Sequence, residues 1–121
     1  VIKSVLVVGF GGGIGSVFRY VLSLLLGKLS GFPYSTFFVN ILGCFIIGIF
    51  AGFSENHQCI TQNYRLLLIT GLCGGFTTFS AFTLENIKLL ESGRFFSAIL
   101  YTSLSIILGL VFTFVGIHVS K

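Results

Sequence analysis

Residues 71–85 read GLCGGFTTFSAFTLE, and this stretch decides how the whole chain is understood. Gly74 and Gly75 stand side by side, Thr77, Thr78, Ser80 and Thr83 bring hydroxyls, and Phe76, Phe79 and Phe82 bring rings. All of this lies inside a run that is otherwise apolar from position 66 onward. A helix needing only to cross a bilayer has no use for such a mixture. Adjacent glycines and clustered Thr and Ser weaken a membrane helix, the glycines through backbone entropy and the hydroxyls by competing for backbone hydrogen bonds. The stretch therefore predicts a third helix interrupted near its centre, at a depth where freed backbone must be satisfied by protein or water.

The rest of the chain supports a membrane setting. Of 121 residues, 55% are hydrophobic and 8% charged, with a mean hydropathy of +1.06, outside the range of soluble domains. Four apolar helices are expected, at 4–26, 33–53, 66–90 and 95–117. Each has roughly the 20 residues needed to cross a ~30 Å hydrocarbon core. Short connections make 1–121 one domain, an all-α up-and-down bundle. The first run carries Arg19 and no cleavage motif, so it is expected to be retained rather than removed as a signal.

Basic residues do not orient the bundle. One face carries Lys3, Arg65 and Lys121; the other carries Lys28, Lys88 and Arg94. An even split gives the positive-inside rule nothing to act on, and such a chain is expected to insert both ways and pair as an antiparallel homodimer. Size points the same way, since a lone four-helix bundle has little room for an aqueous path. Glycine pairs at GxxxG spacing, Gly9 with Gly13, Gly11 with Gly15, Gly48 with Gly52 and Gly71 with Gly75, suit close backbone packing. Thinly spread basic charge gives no reason to expect nucleic acid.

Several function classes drop out. GFGGGIG at 9–15 misses the G-x-G-x-x-G dinucleotide pattern in every register. His57 and His118 lack companions at metal-ligand spacing, and no nucleophile and base can be assembled, so the chain is not expected to be an enzyme. Cys44 and Cys73 fall in apolar runs and Cys59 in a loop, which argues against a disulfide framework.

The polar residues inside the spans carry the functional reading. Asn40 sits on a stripe of small residues and either bonds a neighbouring helix or offers its amide to a passing anion. Arg19 lies roughly 10 Å inside its end of helix 1, where an arginine costs ~2.5–3.5 kcal/mol, so a water-filled recess or a partner such as Glu85 is expected. Phe79 and Phe82, at i and i+3, form either a packing face or two positive ring edges for an anion, with Ser80 and Thr83 close by. Helix 4 repeats Ser97, Tyr101, Ser105, Gly109 and Thr113 on one side. Carbonyls released at the interruption, meeting across a two-fold axis, suit a hard cation.

Together GGGIGSVFRY in helix 1, FVNILGCFIIG in helix 2 and GLCGGFTTFSAFTLE in helix 3 closely resemble the Fluc (also called CrcB) fluoride channels of bacteria, across all four helices. The resemblance implies a dual-topology homodimer in the bacterial plasma (inner) membrane, a multi-pass protein among lipid. It implies passive, fluoride-selective export from the cytoplasm, which lowers fluoride toxicity. It places the fluoride pathway at Asn40, Phe79, Phe82, Tyr101 and Ser105, with Ser80 and Thr83 as further lining. The vestibule falls on Arg19, with Glu85 near it. A structural sodium ion at the dimer centre falls on the main-chain carbonyls of Gly74 and Thr77 from both subunits. Gly109 departs from the hydroxyl expected at that step of helix 4. The alternative is a small dual-topology drug/proton antiporter, which wants an embedded acid in helix 1, where this chain has Arg19.

Overall fold

The computed structural model describes residues 1–27, 32–56 and 61–121. Lys28, His57 and Cys59 lie outside them. The secondary structure of the described residues is all helical: α1 (Ile2–Leu26), α2 (Tyr34–Asn56), α3 (Gln62–Arg65), a π-helical segment (Leu66–Cys73), α4 (Gly74–Phe76), α5 (Phe79–Glu91) and α6 (Phe95–Ser120). Four spans are long and apolar enough to cross a membrane: Ile2–Leu26, Tyr34–Glu55, Gln62–Glu91 and Phe95–Ser120. The outer surface is correspondingly oily, with Leu6, Phe10, Ile106 and Leu110 all exposed.

Two close backbone contacts hold the bundle, and both depend on missing side chains. On one side α1 lies against the π-helical segment and α4. A Cβ on Gly15 would meet the Leu72 carbonyl and come 2.8 Å from the Phe76 nitrogen; one on Gly75 would strike the Gly12 backbone. On the other side α2 lies against α6, where a Cβ on Gly48 would meet the Thr113 carbonyl and one on Gly116 the Phe45 carbonyl. Without a hydrophobic drive between helices in lipid, such close approach lets dispersion and polar contacts hold them together. Not every glycine pair serves this purpose. Gly11 with Gly15, Gly48 with Gly52 and Gly71 with Gly75 are packed, whereas Gly9 and Gly13 have nothing within 4 Å of a would-be Cβ.

Between α4 and α5 the chain leaves the helical path for two residues. Thr77 (φ −86°, ψ 157°) and Thr78 (φ −149°, ψ 119°) are extended, and the Thr78 hydroxyl caps α5 by accepting from the Ala81 amide at 3.2 Å. The adjacent glycines are not where helical geometry is lost: Gly74 is helical at φ −63°, ψ −37°. Gly75 lets α4 touch α1 at Gly12, whereas Gly74 is exposed and meets nothing on α1; the departure belongs to the threonines, whose extended backbone suits β-branched residues. Beyond it, Phe37, Leu89, Ala98 and Tyr101 form the buried core between α2, α5 and α6, with Phe82 packed against it.

Candidate ion-conducting site

Thr78 is clamped on both sides by Asn40. The Asn40 Nδ2 donates to the Thr78 carbonyl at 3.1 Å, and the Thr78 amide donates to the Asn40 Oδ1 at 2.9 Å. One side chain thus supplies the donor and the acceptor that a lost helical turn no longer provides. Of the two roles open to Asn40 from sequence, the structural one is filled. The second Nδ2 hydrogen has no acceptor among the described residues, so the other role remains open to it. Gly43, one turn along α2, makes room for this clamp, because a Cβ there would overlap the Thr77 methyl group.

The clamp decides which carbonyls are left over. In a continuous helix Gly74 O would accept from the Thr78 amide, and Thr77 O from the Ala81 amide. Those amides instead bond Asn40 and the Thr78 hydroxyl. Cys73 O keeps partners, accepting from the Thr77 amide at 3.0 Å and the Thr77 hydroxyl at 2.9 Å. Gly75 O accepts from the Arg19 Nε at 3.2 Å, and Thr78 O from Asn40. Gly74 and Thr77 are therefore among the main-chain oxygens that lose their helical donors here, and oxygens of this kind suit a hard, oxygen-seeking cation. No group of three or more His, Cys, Asp or Glu side chains is placed to hold a metal among the described residues.

Arg19 and Glu85 do not form an ion pair. Arg19 bonds the Gly75 carbonyl, at the end of α4 where a cation is favoured by the helix dipole, while Glu85 accepts from the Tyr101 hydroxyl at 3.3 Å. The expected partnership is replaced by two separate attachments, one to each side of the extended residues. Asn86, an amide that the sequence pattern did not single out, ties α5 to α6. It accepts from the Thr102 hydroxyl at 3.0 Å and donates to the Phe82 carbonyl at 3.1 Å.

Beside Thr77 and Thr78 runs a groove of about 460 Å³ whose walls include Asn40, Cys44, Thr77, Phe79, Phe82 and Ser105. The two phenyl rings lie 5.8 Å apart at 35°. Phe82 is fixed from behind by the Tyr101 ring, 5.0 Å away, whereas Phe79 is 76% exposed. The Ser105 hydroxyl oxygen is buried and has no hydrogen-bond partner among the described residues.

The remaining expected lining residues divide. Tyr101 is fully buried and holds Glu85 and Phe82 rather than lining the groove. Ser80 and Thr83 are exposed beside Phe79, with the Thr83 hydroxyl donating to Ser80 O at 2.9 Å. On α6 the step at Gly109 is occupied from α2: a Cβ there would lie 3.4 Å from the Cys44 Sγ. Thr113 bonds the Cys44 carbonyl at 3.2 Å, so the far end of that stripe is packing.

Comparison with known proteins places the chain in a family. A protein of Flavobacterium psychrophilum named fluoride-specific ion channel FluC is 47% identical over 121 residues, covering 98% of each chain. Proteins of the same name from Azobacteroides pseudotrichonymphae and Leptospira interrogans are 46% and 40% identical, covering 95% and 98% of this chain and 94% and 95% of their own lengths. Residues 6–117 match the family described as CrcB-like protein, Camphor Resistance (CrcB). With nearly the whole length matched, and the Asn40–Thr78 clamp and phenylalanine pair inside the matched region, the chain belongs to the CrcB family.

Proposed function

We propose that this chain forms a fluoride-selective ion channel that lets the anion leave the cytoplasm passively. The observation that carries the reading is the groove beside Thr77 and Thr78. Two phenyl rings, one amide with a spare hydrogen and one hydroxyl without a partner among the described residues belong to its largely apolar lining. Weak donors of this kind suit conduction, because an ion must bind well enough to enter and loosely enough to leave. The relatives named as fluoride-specific channels supply the identity of the ion. Arg19, half-buried beside α4, draws anions toward the groove.

A single copy leaves the groove one-sided. Gly74, Phe79, Ser80 and Thr83 are all exposed along the middle of a span, and lipid offers nothing to polar groups there. A second copy closes the site. The balanced count of basic residues on the two faces supports an antiparallel arrangement and a population inserted both ways. With two copies facing each other, the carbonyls of Gly74 and Thr77 from each would hold a sodium ion on the axis. Bound there, such an ion would supply fixed positive charge between the two extended segments. The setting is the bacterial plasma membrane, where fluoride that enters as the neutral acid is trapped as the anion and needs a way out.

The drug/proton antiporter reading has less support, since α1 carries Arg19 and no carboxylate to trade protons. Fluoride efflux from liposomes containing only this protein separates the two. The channel reading expects rapid fluoride loss without a proton gradient and no comparable chloride loss; loss that requires a gradient would favour the antiporter. A reporter fused to the C-terminus should be accessible from both sides of the native membrane, and one-sided labelling would remove the antiparallel pair.

A further inference from the structure

Away from the conducting groove, two apolar grooves flank Tyr64. One, about 480 Å³, runs between α2 and the start of the third span, over Ile49, Phe50, Phe53 and Leu68, and includes Arg65. The other, about 340 Å³, runs between α1 and the same segment, over Leu6, Phe10 and Leu67, and includes Lys3. Tyr64 is a wall of both. Lys3 lies in the first turn of α1 and Arg65 ends α3, so both cations stand at the same membrane boundary.

Neither groove has an acidic residue in its wall, and neither Lys3 nor Arg65 has an acidic partner among the described residues. Glu55, the nearest acid in sequence on α2, is taken by Lys121 at 3.8 Å. Paired oily channels under two uncompensated cations match the chemistry of a two-tailed anionic lipid, with phosphate at the boundary and chains descending on either side of a ring. Tyr64, apolar in body and polar at its tip, is the kind of side chain that settles at that level.

We propose that the Lys3, Tyr64 and Arg65 edge is a seat for an anionic phospholipid whose two acyl chains straddle Tyr64. The inference requires only that the chain spans a bilayer and does not depend on which ion it carries. The chain contains no tryptophan, so Tyr64→Trp places a single fluorescent reporter between the grooves. Vesicles of phosphatidylcholine doped with chain-brominated phosphatidylglycerol should quench it at about a fivefold lower mole fraction than chain-brominated phosphatidylcholine does, the preference expected from one effective basic contact. Adding Lys3→Gln and Arg65→Gln should bring the two lipids level while fluoride efflux persists. Native mass spectrometry of the unaltered chain gives a second reading, with phosphatidylglycerol adducts outlasting phosphatidylcholine adducts of the same chain length. Equal quenching by both lipids, a preference that survives the double substitution, or no quenching by either because another protein surface covers Tyr64 would overturn the assignment.

Discussion

The two halves of the third span behave differently although they share one helix axis in the sequence. The half up to Phe76 lies tight against α1, with Gly71 and Gly75 admitting the α1 backbone and Cys73 and Phe76 buried. The half from Phe79 onward turns an open side outward, with Phe79 76% exposed and Ser80 and Thr83 beside it. The first half is a fixed wall; the second carries the exposed groups proposed to meet an ion or a second copy. What separates them is two extended threonines and one asparagine. The extended backbone between the two halves is satisfied from α2, through the clamp on Thr78, while the first half is held by α1.

The contrast breaks most severely if the wall is spoiled. Gly75→Val would push a branched side chain into the Gly12 backbone, where nothing can rotate away. A loss of about 3 kcal/mol or more is expected, enough to remove most folded protein from a detergent extract run on a sizing column. Next comes the clamp. Asn40→Ala strips Thr78 of a donor and an acceptor at once; these groups are partly buried, so a loss toward the lower end of the ~1–3 kcal/mol cost of a bare buried group is expected for each. Thermal unfolding should fall and fluoride efflux should fail together; unchanged unfolding would mean water fills the gap and the clamp is dispensable. The smallest effect belongs to Gly13→Ala. Open space surrounds that position, and replacing a helix-interior glycine is expected to raise stability by ~0.5–1 kcal/mol in the same unfolding assay.

Much of this was legible in the residues. Spans, helix count and the unusual character of 71–85 follow from hydropathy and composition, which act through the bilayer and need no tertiary knowledge. The packed pairs Gly11 with Gly15 and Gly71 with Gly75 were readable as candidates. Spacing alone did not separate them from Gly9 with Gly13, because only the position of the neighbouring helix decides which face of α1 is covered. The same limit applied to Gly74 and Gly75, whose pairing suggested a local loss of helix: both are helical, and of the two Gly75 serves close approach to α1. Arg19 was recognised as needing a partner, yet the partner is a main-chain carbonyl, which no side-chain pattern can announce. Asn40 was found by its isolation in an apolar run; that it grips Thr78 through both ends of its amide depends on an alignment of α2 with residues thirty-eight positions away.

Fluoride efflux from liposomes holding matched amounts of folded Phe79→Ile or Phe82→Ile protein tests the central claim most directly, since isoleucine keeps the bulk of the lining and removes the ring edges. Efflux should drop roughly tenfold or more in each, the rate equivalent of losing one favourable edge contact of ~1.4 kcal/mol. Efflux indistinguishable from that of the unaltered chain would mean the phenyl rings only pack, and the ion travels elsewhere.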